Sequence, residues 1–494
     1  MKEKILAVFF TLMAVWVQGA LLFQNGQFDK QGNLVFYDIA AFRDVTVHLS
    51  LVQEILNRFP PTNFAASGLP LKNYHYFFDV GAAVLTKILP FSPLDTYFRV
   101  IPVILSGLLC LVIYLATLRL SKSKLAAALA IFFTIFATSF GPAMPFLADF
   151  FHWSHITGSG NTFMMDQLFG MMVNPQGILS VIIFLALFLL FDWYEKTKKI
   201  LSLILIVLLL GISFGVKAYG GILFAPAAVL ASFYLFFKSK DYKPVIAVLF
   251  GVFLMGLWFL YSIDSTVAGL SFAPFWILTH MMSDINRLDQ PMFAVLPANV
   301  FKVIAVIVFE FFVFLFGALG LRIFGWKEVF RKPNGAVIFL YATAIISLFL
   351  PLFFNQSSKA YEVLQFFPYF TVVTGILFSI WVSRKHWLII LLFALLFLAF
   401  DKQELDVRVK GSSEKIVIPA PELAAVNYVR QNTNPDAVFL LAPSQFNTDN
   451  LWFTALSGRR VVYAGFRFEQ QIGVDPAKIP QKYDYSYVDI KNIE

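Results

Sequence analysis

The sequence predicts an all-α polytopic membrane protein with about eleven spanning helices, surface helices in the first outer loop and a small C-terminal α/β lobe. Three observations predict this fold. Of the 494 residues, 59% are hydrophobic and 14% charged, and mean hydropathy is +0.74, far above the balance of a soluble domain. Apolar runs of roughly 17–23 residues recur over the first 400 positions, each long enough to cross about 30 Å of hydrocarbon. Basic residues cluster in alternate connections between those runs, the pattern that the positive-inside rule requires.

The runs lie at 4–22, 97–118, 125–142, 177–193, 200–215, 221–237, 244–262, 299–320, 336–354, 361–382 and 386–400. Alternate connections carry Arg119/Lys122/Lys124, Lys196/Lys198/Lys199, Lys238/Lys240/Lys243, Arg322/Lys327/Arg331/Lys332 and Arg384/Lys385. The intervening connections are nearly free of them: 143–176 has none, 263–298 only Arg287 and 355–360 only Lys359. The expected arrangement is a multi-pass protein of the plasma membrane, with a cytoplasmic N-terminus and an extracytoplasmic tail. These basic loops account for the formal net charge of +8 without a nucleic-acid partner. The first run also resembles the apolar stretch of a signal peptide after Met1-Lys2-Glu3-Lys4. No small-residue cleavage pattern follows it, so a retained anchor is expected. Cys110 is the only cysteine, so the chain can form neither an internal disulfide nor a multi-cysteine metal site.

The domain expectation is a transmembrane domain over 1–400, including a first outer loop at 24–96, followed by an extracytoplasmic α/β tail over 401–494. The first outer loop carries most of the candidate chemistry. Its segment 45–57 has helical periodicity. Thr46, Ser50, Gln53, Glu54 and Asn57 share a polar face, and Val45, Leu49, Leu51, Val52, Ile55 and Leu56 cover the other. Asp44 precedes this helix as an N-cap candidate, and Asp44 and His48 both project into the apolar arc, away from bulk water. Segment 74–89 reads as a second helix lying on the outer membrane surface, with His75 and Asp79 one turn apart. Two i, i+4 pairs, Asp44/His48 and His75/Asp79, can therefore converge on one cavity. A wet loop at 143–176, with Asp149, His152, His155 and Asp166 around Gly158-Ser159-Gly160, is a second candidate wall. Glu310 stands mid-span and must find a partner or be protonated.

The tail changes character near 401. Residues 402–420 read as charged and strand-like, 421–432 as a helix with Pro421 in its first turn, and 437–442 and 461–464 as buried strands around a helix near 446–457. No phosphate-binding glycine loop, Walker motif or Ser/His/Asp pattern occurs, which argues against a nucleotide-sugar enzyme or an ATP-driven pump.

The order of features carries a resemblance. One span is followed by the acidic opening of a surface helix (Asp44, then Glu54-Ile55), the loop Gly68-Leu69-Pro70, an aromatic surface helix, and an entry Tyr97-Phe98-Arg99 into the next span. Asn174-Pro175 then opens a later span, and Gly215-Val216-Lys217-Ala218-Tyr219-Gly220 forms a break between two others. Over roughly residues 1–240 this order resembles the GT-C superfamily of integral-membrane glycosyltransferases, in the branch of protein mannosyltransferases and the lipid A aminoarabinose transferase. The resemblance implies transfer of a sugar from a polyprenyl-phosphate carrier, a membrane lipid, to an acceptor on the extracytoplasmic face. It implies Asp44 as the catalytic base, with His48, His75, Asp79, Arg99, Lys217 and Asn174 binding substrate. Proton removal from the acceptor needs a carboxylate, and the leaving phosphate needs positive charge from Arg99, Lys217 or a metal. A divalent cation is the one candidate cofactor, with His48, His75 and Asp79 as its ligands, although no tight metal-ligand spacing is present. Lys217 has a plain alternative in which it snorkels to the interface. Two other functions remain open: a secondary transporter or lipid flippase built around Glu310, and a non-catalytic scaffold, since no second acidic residue adjoins Asp44.

Overall fold

The computed structural model describes residues 2–137, 139–141, 168, 170–263, 270–283, 300–328, 333–356, 360–410, 415–441 and 451–465. Among the described residues eight helices are long and apolar enough to cross a membrane, and Lys124–Ile135, Ile200–Val216 and Trp387–Ala399 are shorter apolar helices. Each apolar run of the sequence has become one of these helices. The run at 125–142 is the shortest relative to expectation. Its helix ends at Ile135, giving about 18 Å of rise, and the chain beyond it approaches Gly141-Pro142, a pair that cannot continue a helix.

The chain divides into two compact units, Met1–Ala20 with Val103–Trp258 and Gly269–Lys410, and Leu21–Pro102 with Phe259–Ala268 and Gly411–Glu494. The first unit is a helical bundle whose most enclosed member is Glu362–Val382, 94% buried over its apolar window. Close approach there depends on Gly325, where an added Cβ would lie 2.2 Å from the Phe378 backbone nitrogen and 2.6 Å from its Cα. Backbone cannot yield as a flexible side chain can. Gly325→Ala is therefore expected to cost roughly 1–3 kcal/mol, read as a lower melting temperature in detergent. An unchanged melting temperature would contradict the close packing.

The basic connections of this unit are tied together. Arg119 approaches Asp192 at 3.7 Å, Lys198 pairs with Asp241 at 3.2 Å and Lys238 with Glu195 at 3.0 Å. The second Glu195 oxygen accepts from the Gly335 backbone at 2.9 Å, and Arg384 pairs with Glu328 at 2.8 Å. Exposed pairs such as these add little stability, but they gather the basic loops at one end of the bundle, as alternating topology requires.

The second unit joins two stretches far apart in sequence. A three-stranded antiparallel sheet sets Gln27–Phe28 against Leu34–Phe36, and Leu34–Phe36 against Ile416–Ile418, with Val35 opposite Val417. The helix Ile39–Asn57 packs between the helix Phe77–Ile88 and the tail helix Leu451–Ser457. The helix Ala420–Asn432 starts where the Ala420 amide donates to Asn33 Oδ1 at 2.9 Å. The buried Arg459 guanidinium closes its other end by donating to the carbonyls of Arg430 (2.6 Å) and Thr433 (2.8 Å), a cation at the helix C-terminus. Val438–Phe439 and Arg460–Val461 pair in parallel.

One reading of the tail changes. The segment 402–420 is not mostly strand: the helix from Trp387 continues to Lys410, and only Ile416–Ile418 is extended. Asp401-Lys402-Gln403-Glu404-Leu405 is charged but rich in good helix formers, so the preceding helix propagates through it.

Candidate functional site

The site in the second unit is built on Ile39–Asn57. This helix starts six residues earlier than the sequence reading placed it. Asp38 stands immediately before it, with its carbonyl accepting from the Phe42 amide at 2.9 Å, so Asp44 lies inside the helix and is not its N-cap. The helix is clasped along most of its circumference. Phe42, Val45, Leu49, Leu51 and Val52 are buried, as are the polar Thr46, Ser50, Gln53 and Glu54. Arg43, Asp44 and Val47 form its open strip, and Asp44 is exposed. The expectation that Asp44 points away from water is therefore overturned, because the elements packed on this helix leave that strip uncovered. His48, one turn on, is buried as expected.

His48 and Asp79 meet across two helices. His48 Nδ1 lies 2.9 Å from Asp79 Oδ1, and both residues are buried. Asp79 sits in the first turn of Phe77–Ile88, where the helix dipole favours a carboxylate. Its second oxygen, Oδ2, has no hydrogen-bond partner among the described residues. Burial pushes the Asp79 carboxyl above its ordinary value, while His48 pulls it back. The helix begins at Phe77, so His75 precedes it and shares no helical face with Asp79. The proposed His75/Asp79 turn pair does not form; Asp79 pairs with His48 instead, and His75 stacks on Tyr74 at 5.3 Å.

Aromatic rings enclose His48. Tyr97 stacks on it at 6.0 Å, Phe78 meets it edge-on at 6.0 Å and Tyr74 lies at 6.2 Å. Burial, then the carboxylates of Asp79 and Asp44, push the Tyr74 phenol well above its ordinary value. Asp44 thus acts on the same cluster as Asp79 from the open side of its helix. Tyr97 and Arg99 stand where the helix entering the next span widens to i→i+5 bonding over Thr96–Val100, a distortion that recurs at functional positions. Arg99 Nη2 donates to the Gly26 carbonyl at 3.1 Å and Nε lies 3.7 Å from Asp95. Its Nη1 is buried without a partner among the described residues.

Asn174 and Lys217 belong to the first unit and form a pair there. Lys217 sits in extended backbone (φ −157°, ψ 115°) between Ile200–Val216 and Ala218–Ser239. Its side chain is buried and does not snorkel. Nζ donates to Asn174 Oδ1 at 3.4 Å and lies 5.4 Å from the centre of the Tyr219 ring, whose hydroxyl donates to Glu362 at 3.2 Å. Glu362 and the enclosure of His48 were missed by the sequence reading, which named Tyr219 only as part of the break. The run Tyr74-His75-Tyr76-Phe77-Phe78 signalled that enclosure. Glu310 is fully buried, and neither carboxylate oxygen has a partner among the described residues. Asp149, His152, His155 and Asp166 lie outside the described residues.

Among the described residues no group of three or more His, Cys, Asp or Glu is placed to hold a metal ion. The trio His48, His75 and Asp79 does not fit as a ligand set, since His75 stands apart from the His48–Asp79 pair.

No family model matches the chain, and no curated protein matches it. Solved structures do. The Archaeoglobus fulgidus oligosaccharyltransferase, tethered with an acceptor peptide containing the NVT sequon, is 14% identical with a TM-score of 0.50, over 94% of this chain and 64% of that one. The archaeal oligosaccharyltransferase AglB from the same organism, in complex with an inhibitory peptide and a dolichol-phosphate, gives 14% identity and 0.48 over 94% and 65%. The apo form of the A. fulgidus oligosaccharyltransferase gives 14% and 0.48 over 93% and 65%. The chain thus spans about two thirds of the length of the structures it resembles. At this identity the likeness is one of fold, shared with the A. fulgidus oligosaccharyltransferase.

Proposed function

We propose that this chain is a membrane glycosyltransferase that moves a sugar from a polyprenyl-phosphate carrier to an acceptor on the extracytoplasmic face. The observation that supports it most is the exposed Asp44 carboxylate beside the buried His48–Asp79 pair, in a chain that shares its fold with an oligosaccharyltransferase. The acceptor heteroatom attacks the anomeric carbon and its proton passes to Asp44. The bond from that carbon to the phosphate oxygen breaks, and polyprenyl phosphate leaves with the electron pair. Arg99 is the cation proposed to stabilise that charge. His48 and Asp79 bind substrate through the aromatic enclosure they share with Tyr74 and Tyr97, and His75 borders the donor; the Lys217–Asn174 pair is a separate candidate contact for the donor within the first unit.

Purified protein given a labelled polyprenyl-phosphate sugar and acceptor peptides or glycans is expected to release polyprenyl phosphate. A folded preparation that releases none would refute the proposal. A proton-coupled transporter is the second reading, favoured by the buried Glu310, whose carboxylate oxygens have no partner among the described residues. It predicts substrate uptake by vesicles that Glu310→Gln abolishes.

The orientation is testable separately. With Cys110→Ala as background, cysteine at Ser67 is expected to react with a membrane-impermeant thiol reagent added outside, and cysteine at Ser123 to be protected. The reverse pattern would invert the topology.

A further inference from the structure

The polar face of Ile39–Asn57 is not solvated; it grips the tail. Gln53 Nε2 donates to the Ala455 carbonyl at 3.3 Å and Asn57 Nδ2 to the Gly458 carbonyl at 2.9 Å. The Ser50 hydroxyl shares its one proton between Thr46 O at 2.7 Å and Leu451 O at 3.0 Å. The donors are spaced 50, 53, 57 and the acceptors 451, 455, 458, so both rows advance one helical turn at a time. Ala455 lies in the last turn of the tail helix and Gly458 just past its end at Ser457, where carbonyls have no partner within the helix. Gly458 (φ +67°) lets the chain turn directly beneath Gln53 and Asn57. The same tail returns beside the loop that follows: the Ser67 amide donates to Val461 O at 3.1 Å and the Ala464 amide to Ala65 O at 2.7 Å.

We infer that the tail segment 451–464 positions the helix bearing Asp44 and His48, with Gln53 and Asn57 as the positioning residues. This rests on the glycosyltransferase reading for its consequence in catalysis, but the clamp itself is measurable without activity. The two sides of the helix are held by different elements, the tail on one and Asp79 through His48 on another, which fixes its rotation. A carboxylate about 5 Å from the helix axis moves about 1 Å when the helix turns by roughly 12°, and a displacement of that size can cost about 10²-fold in rate. Neither Gln53 nor Asn57 reaches the open strip that carries Asp44, so they act through the helix and not on substrate.

Gln53→Met keeps size and helix propensity but removes the donor. It is expected to lower kcat about tenfold or more while KM for the polyprenyl donor changes less than about twofold. A matching change in KM alone would overturn the inference. Gln53→Cys with Ala455→Cys, in a Cys110→Ala background, supplies the rescue: the oxidised pair is expected to be at least several-fold more active than the same protein reduced, and equal activities would overturn the inference. Hydrogen exchange of the Asp44–Asn57 amides reads the clamp directly, even if substitution weakens folding elsewhere. Faster exchange in Gln53→Met, restored in the oxidised pair, is expected; unchanged exchange overturns the clamp. Absence of sugar transfer in the unaltered protein, with these amides protected, would instead sink the glycosyltransferase reading and leave the clamp standing.

Discussion

Asp44→Asn is expected to leave a folded protein whose sugar transfer is lowered by at least about 10²-fold, the usual contribution of a positioned general base. The structure removes the main competing explanation. Asp44 lies inside Ile39–Asn57 and not at its start, so the change cannot act by deleting a cap. Asp44 is also exposed, so the change places no new polar group in the core. Asp and Asn have similar helix propensities, and melting temperature should hold within a degree or two. Donor binding should persist, because the amide fills the same volume and only proton acceptance is lost. Retained transfer would make Asp44 a bystander and shift the search for a base to other carboxylates.

His48→Ala is expected to be the most destabilising single change in this unit, by roughly 3–5 kcal/mol, because it leaves the buried Asp79 carboxylate without its partner. The pH dependence gives the sign. Burial holds the Asp79 carboxyl above its ordinary 3.8, with His48 the main opposing influence. A folded-state value raised above the unfolded one contributes stability that is fully present below about pH 3.8 and lost as pH rises through the raised value. Without His48 the carboxyl rises further, so the stability gap to the unaltered protein should widen as pH increases from about 4 toward 7. Asp79→Asn combined with His48→Ala should recover much of the loss, since no charge is then buried. A gap that is small and flat with pH would mean that the pair contributes little.

Both predictions depend on features of unequal legibility. The spans were readable because hydrophobic length and charge alternation are local properties, and each apolar run of the sequence formed a helix. The break at Lys217 was equally visible, since Gly215 and Gly220 flank a lone cation between two apolar runs. Helix starts were harder. Asp38 and Asp44 are both good cap residues, and Ala40-Ala41-Phe42 between them gave no signal to choose the earlier one. Pairing was harder still. Spacing suggested partners one turn apart, yet His48 bonds Asp79 across 31 residues, a choice made by the packing of two helices. A polar face on an amphipathic helix ordinarily means water; here it meant carbonyls some 400 residues away, which no periodicity encodes.

That separation sets a schedule for biosynthesis. Ser50 emerges 401 residues before Leu451, its partner in the tail. At roughly 5–20 residues per second the first-loop helix waits about 20–80 s for the surface that covers it. During that interval Gln53, Glu54 and the strand Leu34–Phe36 stand without the tail that later buries or pairs them. The bundle can insert span by span as it is made, but the Asp44 helix reaches its final setting only when the segment 451–458 has left the ribosome. A nascent chain stalled before Leu451 should therefore carry a complete set of spans beside an open, protease-sensitive first loop.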